Sequence, residues 1–453
     1  MKRSAVTTLN DVPPKKAGVI ESEVLSLPKI IQRSSILEQG KIYFTPIGGI
    51  TVPRESSCSE GALSLDEVIK DIQPVSSVHF SYLLDFDYLL SCYPTDLRSN
   101  PMKIVVGVNE ATDLERITKR YDNVTVVGAP CESFGIHHTK MSMFESADGL
   151  VHVIVSTANF VTDDWEFKTQ QFYYAVGIKC ASEKDTKRSP FQSDLIEYLG
   201  QYRYSLLEWR ALVSRTDFTE VVDRLVFSTP GKHQAVAAER LGHPRLRLLL
   251  SEKFPAKKST VPSDKCSYIA QCSSIGSLGA VPHQWFTGEF LRSMEGATPS
   301  QISPKMWLVF PCVEDVRISC QGYGAGTMIP YKNKIHSKQA WLRRFMCKWR
   351  SNKRRRTVAA PHCKTYGKFE DQMPKWQLLT SANLSKAAWG EQRKDGVLYI
   401  RSYEMGVLIT DPDRFNFPFD YPLVKYADTD QPFTQDRNHM NPDKFGRTWT
   451  VSS

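Results

Sequence analysis

Residues 361–390 read PHCKTYGKFEDQMPKWQLLTSANLSKAAWG. His362 and Lys364 stand two apart, so on an extended segment both side chains leave the same face. The apolar run Trp376 to Leu379 then gives way to Thr380, Ser381, Ala382 and Asn383, which reads as a buried strand ending in a polar turn with Asn383 at its mouth. Residues 135–165, GIHHTKMSMFESADGLVHVIVSTANFVTDDW, repeat the arrangement with His138, Lys140, Asn159 and Trp165. His and Asn are 21 positions apart in both stretches, and Asn and Trp are 6 apart. Four residue types kept at the same offsets indicate two related half-molecules, folded so that the two stretches meet.

A chain of 453 residues exceeds one ordinary core. A prior of ~150 residues per domain allows two or three, and the repeat selects two. The expected division is a flexible N-terminal tail over residues 1–35, a first domain over 36–218 and a second over 219–453. An apolar fraction of 41% is ample for globular packing. Lys and Arg exceed Asp and Glu by 58 to 49, a net charge of +9 that suits a polyanionic partner without requiring one. The ten cysteines fall in no Cys-x-x-Cys pair and read as reduced intracellular thiols. The N-terminus lacks the apolar stretch of a secretory signal, and no run approaches the ~18 apolar residues of a membrane span.

Along the first unit, IYFTPIGGI reads as a strand and turn, and Ser64 with Glu67 forms a capping box that starts a helix at Leu65. KIVVGV (103–108) and VTVVGA (124–129), separated by a helix-compatible segment, predict a parallel sheet with helices on its faces. The spacing of Leu195, Leu199, Leu206 and Trp209 predicts a helix that closes the unit. In the second unit SYIAQC (267–272) and MWLVF (306–310) read as strands, HQWFTGEFLRSM (283–294) as a helix and residues 338–350 as a basic helix. Residues 411–453 read as irregular structure wrapped on the second unit. The chain is therefore expected to be α/β.

Two sets of His, Lys and Asn facing one another could hold a single phosphate. The ammonium and amide groups would neutralise the charge that grows on its oxygens during phosphoryl transfer. One imidazole would attack phosphorus and the other would protonate the departing oxygen, then act as base for water. No metal or other cofactor is needed, and the lysine beside each histidine would oppose a bound cation. His137 would point to the opposite face from His138 and belongs to packing. Trp165 and Trp389 anchor the segments that follow each Asn.

The paired His-x-Lys followed by Asn resembles the phospholipase D superfamily, and specifically its tyrosyl-DNA phosphodiesterase branch. Asn159 and Asn383 stand where the wider superfamily carries Asp. SFGIHHTKM, KTQQ (168–171), QCSSIGSLG, FPCVEDVRISCQGY, TSANLSKAAWG and IRSYEMGVL support the closer match, which covers most of the chain from about residue 40. The resemblance implies two similar α-β-α sandwich domains related by pseudo-twofold symmetry, with the active site between them. It implies His138 as nucleophile and His362 as general acid and base, with Glu404 orienting His138 and Gln170 orienting His362.

The implied substrate is DNA carrying a 3′-linked tyrosine or peptide, at a single-stranded or duplex end, left by a stalled type IB topoisomerase. Cleavage through a phosphohistidine would leave a 3′ phosphate. A monomeric nuclear repair enzyme is expected. Ser273, Ser274 and Ser277, in SSIGSL after a strand, have the composition of a backbone-phosphate cradle, although an ordinary polar turn has it too. Phe134 could stack on a base. Residues 338–356 hold nine Lys or Arg and no acids, suited to phosphate contact, nuclear import or a solvated basic face. The rival readings are another nuclease or lipid hydrolase of the superfamily, disfavoured by Asn in place of Asp, and a catalytically silent nucleic-acid-binding scaffold, disfavoured by both intact His and Lys pairs.

Overall fold

The computed structural model describes residues 35–48, 61–255, 265–297 and 305–451. The expected N-terminal tail, apart from Ser35, lies outside these residues. Residues 36–453 form one compact unit. Its first sheet uses strands β1 (Ile42–Phe44), β2 (Pro74–Phe80), β3 (Met102–Gly107), β4 (Val124–Ala129), β5 (Met141–Ser146), β6 (Leu150–Ser156), β7 (Gln171–Lys179) and β8 (Thr216–Asp217). The rest are β9 (Arg224–Ser228), β10 (Gly231–His233), β11 (Cys266–Gln271), β12 (Lys305–Val309), β13 (Met346–Cys347), β14 (Thr365–Glu370), β15 (Met373–Thr380), β16 (Glu391–Gln392), β17 (Leu398–Ile400) and β18 (Glu404–Ile409).

The two large sheets have the same topology. The first runs β1-β7-β6-β5-β2-β3-β4, with β8 on β7, and the second runs β9-β18-β15-β14-β11-β12-β13. In each, the first strand in sequence lies on one edge and three parallel strands lie on the other. Strands β10, β16 and β17 form a separate three-stranded sheet. The duplication seen in 30 residues thus extends through both halves. The sheets are mixed, whereas the sequence predicts parallel ones, because β5–β6 and β14–β15 are joined by tight turns. Gly149 in the first turn and Asp371 and Gln372 in the second adopt positive φ, and a turn this short connects only antiparallel strands.

Period-two alternation along the strands explains the layers. Val153, Val155, Tyr173 and Ala175 face a central core with Phe191, Leu195 and Leu199, while Ile154, Phe172 and Tyr174 face an outer core with Leu65, Val68 and Ile72. The second sheet joins the central core through Leu379, Met405, Val407 and Ile409, and packs its Leu378 and Leu408 into a separate cluster with Leu246 and Leu249. The capping box at Ser64 and Glu67 is present, and its helix covers Leu65–Ile72. Trp165 and Trp389 are buried, each contributing about 1.5–3 kcal/mol or more of apolar burial.

Two predicted helices differ. The helix through Leu195 and Trp209 is two, Pro190–Gly200 and Leu207–Ser214, split by a 3-10 turn that Arg203 enters with φ 53°. The basic helix over 338–350 is a 3-10 stretch, Ser337–Phe345, followed by β13. Gln339 breaks it, because its buried amide is held by the N–H of Leu278, the carbonyl of Gly276 and the hydroxyl of Tyr331. Much of the basic run works within the fold. Arg343 donates to the carbonyls of Ala427 and Asp428, Lys348 pairs with Asp430 and Arg350 with Asp315. Arg356 is buried, donating to the Thr45 carbonyl, whereas Lys353, Arg354 and Arg355 are exposed. HQWFTGEFLRSM is helical through a π turn, Phe286–Phe290, that runs into Leu291–Glu295.

Candidate active site

Backbone hydrogen bonds fix each histidine to the opposite half. The His138 N–H donates to the Tyr403 carbonyl at 3.0 Å, and the Tyr403 N–H donates to Ile136 at 3.0 Å. The equivalent pair on the other side has the His362 N–H on Thr169 at 3.1 Å and the Thr169 N–H on Ala360 at 3.0 Å. Strand register makes Gln170 and Glu404 equivalent as well, since Ser156 pairs with Phe172 as Thr380 pairs with Gly406. Each histidine therefore lies beside a residue at the start of a strand of the other sheet, Glu404 as the first residue of β18 and Gln170 just before β7.

The side chains follow the same pattern. His138 Nδ1 lies 2.9 Å from Glu404 Oε2, and His362 Nδ1 lies 2.8 Å from Gln170 Nε2. Thr157 donates to Gln170 Oε1 at 2.7 Å, and Ser381, its counterpart two residues before Asn383, donates to Glu404. Lys140 Nζ donates to the His138 carbonyl at 2.8 Å, and Lys364 Nζ likewise to the His362 carbonyl. Asn159 Oδ1 accepts from the Leu83 N–H at 3.2 Å, while Asn383 Oδ1 accepts from the N–H groups of Ser273 and Ser274 at 3.1 Å each. Contacts thus join each histidine to its lysine and to a residue of the opposite half, while Asn383 is held by the N–H groups of Ser273 and Ser274.

Three further contacts were not read from the sequence. Asp164 is fully buried, with Oδ1 2.8 Å from His362 Nδ1 and Oδ2 accepting from the Asn159 N–H at 2.8 Å and the Asn159 amide at 2.7 Å. Its counterpart is Ala388, so the near-symmetry is broken here. The equal 2.8 Å approach of Asp164 and Gln170 means that His362 is not oriented by a neutral amide alone. Tyr82 lies with its ring 5.6 Å from that of His138 and 5.9 Å from Lys140 Nζ, beside the reacting edge of the site. Thr157 and Ser381 were visible in the repeated S-T-A-N and T-S-A-N, but their hydrogen-bond partners were not. As expected, His137 is buried in packing, 2.9 Å from the Tyr202 hydroxyl and 3.1 Å from the Ser81 carbonyl.

Burial dominates the electrostatics. It pushes the His138 imidazole down to about 4 against the opposing pull of Glu404, and the His362 imidazole down to about 4 against that of Asp164. Burial would raise the carboxyls of Glu404 and Asp164, but the facing imidazole, joined by the Ser381 hydroxyl and Lys140 at Glu404 and by Lys364 and the Asn159 N–H at Asp164, holds each group low. Both carboxyls are therefore charged and both histidines neutral at pH 7. Burial together with the charge of Lys364 lowers Lys140 to about 7, and burial lowers Lys364 to about 8. Two cations kept from water beside one another form a socket for an anion.

A sign follows for anion binding. A lysine with a lowered pKa keeps its charge below that pKa and loses it as pH rises through it. Affinity for sulfate, whose own charge is constant, is expected to weaken as pH rises from 6 to 9, with proton uptake on binding at pH 8. Calorimetry in two buffers of different ionisation enthalpy measures both. An affinity independent of pH would show that the lysines do not hold the anion.

The residues expected to meet DNA divide. Phe134 is 92% exposed with φ 63°, so it is not a core residue and stands free to stack. Ser273 is buried, and its hydroxyl and N–H both serve Asn383. Ser274 is partly exposed and Ser277 exposed, so of the three serines these two are open to solvent. Among the described residues no helix is long and apolar enough to cross a membrane, and no three His, Cys, Asp or Glu cluster as metal ligands.

The tyrosyl-DNA phosphodiesterase family profile matches residues 41–444. A probable tyrosyl-DNA phosphodiesterase of Caenorhabditis elegans is 57% identical over 427 residues, 92% of this chain and 94% of that protein. Tyrosyl-DNA phosphodiesterase 1 of Drosophila melanogaster is 31% identical, covering 90% of this chain and 77% of its own. The fold is similar to that of a crystallised yeast tyrosyl-DNA phosphodiesterase mutant, with TM-score 0.69, 21% identity, and coverage of 87% of this chain and 98% of that one.

Proposed function

The chain belongs to the tyrosyl-DNA phosphodiesterase family, within the phospholipase D superfamily, and on that premise we propose how its site works. It is a phosphodiesterase of DNA repair. The substrate is a DNA 3′ end whose phosphate is esterified to a tyrosine, with the phosphate seated between Lys140 and Lys364. The lone pair on His138 Nε2 forms a bond to phosphorus as the bond to the tyrosyl oxygen breaks. That oxygen keeps the bonding electrons and takes a proton from His362 Nε2. Water then gives a proton to His362 and attacks phosphorus, the N–P bond breaks, and its electrons return to His138. A 3′ phosphate remains on the DNA.

Each part has a physical reason. Glu404 at Nδ1 fixes the His138 tautomer with Nε2 free and stabilises the positive charge that forms on attack. Entry of an anionic phosphate beside His362 raises that imidazole from its low value in the empty site, which equips it to carry the proton. Both halves of the site lie on one chain, so a monomer suffices. The observation that carries this reading is the reciprocal pairing, in which each histidine is held at Nδ1 by a side chain of the opposite half, Glu404 for His138 and Gln170 for His362.

The test is a single-stranded oligonucleotide ending in a 3′ phosphotyrosine, incubated in excess EDTA. The expected result is free tyrosine and a 3′-phosphorylated product, with no loss of rate to the chelator. If the protein binds this DNA and releases nothing, it is a scaffold and the reading fails.

A further inference from the structure

Tyr403, whose backbone holds His138, also lines a cavity of about 600 Å³. The cavity is bounded by residues 127–132, the turn at 200–205 and Thr229–Pro230. Its borders carry the two most exposed large apolar side chains among the described residues. Tyr204, 84% exposed, lies on its lining. Phe134, 92% exposed, projects from the turn that the Gly135 N–H closes onto Glu132, itself a lining residue. Both are set by left-handed backbone at non-glycine residues, Phe134 at φ 63° and Arg203 at φ 53°, a conformation that persists only where the surroundings impose it.

The turn is not a loose one. Tyr202 within it is buried, 2.9 Å from His137 Nε2, and stacks on Tyr403 with ring centroids 5.1 Å apart. Tyr204 is thus held at a fixed position relative to His138, with its ring in solvent and the exposed guanidinium of Arg203 beside it. An aromatic face next to an arginine, outside any apolar pocket, suits a nucleobase and its phosphate better than it suits a peptide, which needs a recessed apolar site or a strand edge. Phe134 is two residues from the lining residue Glu132, so a DNA strand that stacks on Phe134 comes close to the cavity.

We propose that this cavity is a second nucleic-acid site, holding an unpaired nucleotide of the DNA some way from the scissile phosphate, with its base stacked on Tyr204 and its phosphate at Arg203. The proposal rests on the reading that the active site acts on DNA, and it adds a contact that only longer substrates reach.

The experiment compares 3′-phosphotyrosyl single strands of increasing length, and the unmodified strands by fluorescence anisotropy. For wild type, affinity and kcat/KM are expected to rise with length and then level off. Tyr204→Ala is expected to cost the long strand roughly ten-fold in affinity and to move the shortest strand less than two-fold, while Tyr204→Phe retains the gain. Arg203→Ala is expected to flatten the salt dependence of binding by about one phosphate contact. Loss that is equal at all lengths, or no loss at any length, overturns the proposal. Loss that tracks the length of the attached peptide rather than the DNA assigns the cavity to protein and overturns it too. If wild type binds the strands yet releases no tyrosine, the reading of the active site fails, and the anisotropy series still decides this one.

Discussion

His138→Ala is expected to form no covalent protein–DNA species and to lose about four orders of magnitude or more in turnover, because it removes the imidazole assigned to bond to phosphorus. His362→Ala is expected to behave differently. Its first step loses a general acid, but the departing phenol, with a pKa of about 10, leaves tolerably without one. Its second step loses the base that activates water, an effect of about 10²–10⁴-fold. The covalent species should therefore accumulate with the His362 variant, visible as a DNA-linked band on a denaturing gel. Accumulation with the His138 variant instead would reverse the two roles. The near-symmetry of the backbone around the two histidines makes this a real alternative, since each is held by equivalent bridges to the opposite half.

Asp164→Asn carries the second largest expected effect. The carboxylate faces three donors, His362 Nδ1 and the two nitrogens of Asn159, and an amide has only one oxygen to offer them. Either His362 or Asn159 must then face an N–H group. With the negative charge gone, His362 also loses the contact that opposes the downward push of burial on its pKa. We expect turnover to fall by about 10²-fold, by analogy with other buried partners of a working imidazole. Stability should fall by about 1–3 kcal/mol for the mismatched buried groups. Release should slow more than adduct formation, because a less basic His362 is a poorer base for water. Single-turnover measurements separate the two rates. Equal slowing of both steps would mark Asp164 as a packing residue and remove it from the mechanism.

The site was legible to different depths. Six residues were found because the chain carries two copies of one pattern, and equal offsets survive without knowledge of the fold; Gln170 and Glu404 came only through the family resemblance. Asp164 was hidden for the opposite reason. It has no copy, Ala388 standing in its place, and a single Asp in TDDW carries no signal until His362 is brought beside it. Ser273 was read as a phosphate ligand because composition reports hydroxyls and not their partners; the structure points it at Asn383. In the basic run, too, composition counts charges and not partners: Arg350 and Arg356 are taken up by Asp315 and Thr45, which lie far away in sequence.

The sequence by itself determined the two-half architecture, the identity of the paired histidines, lysines and asparagines, and the family. These depend on residue type and spacing, which are local and repeated. Only the tertiary structure decided that the sheets are mixed, that backbone hydrogen bonds fasten each histidine to the other half, and that His362 has a carboxylate partner, Asp164, beside Gln170. Hydrogen-bond partners are set by which segments meet in space, and those meetings join residues far apart in the chain, 266 positions between His138 and Glu404 and 311 between Arg356 and Thr45. No spacing along the chain encodes such a contact until the chain has folded.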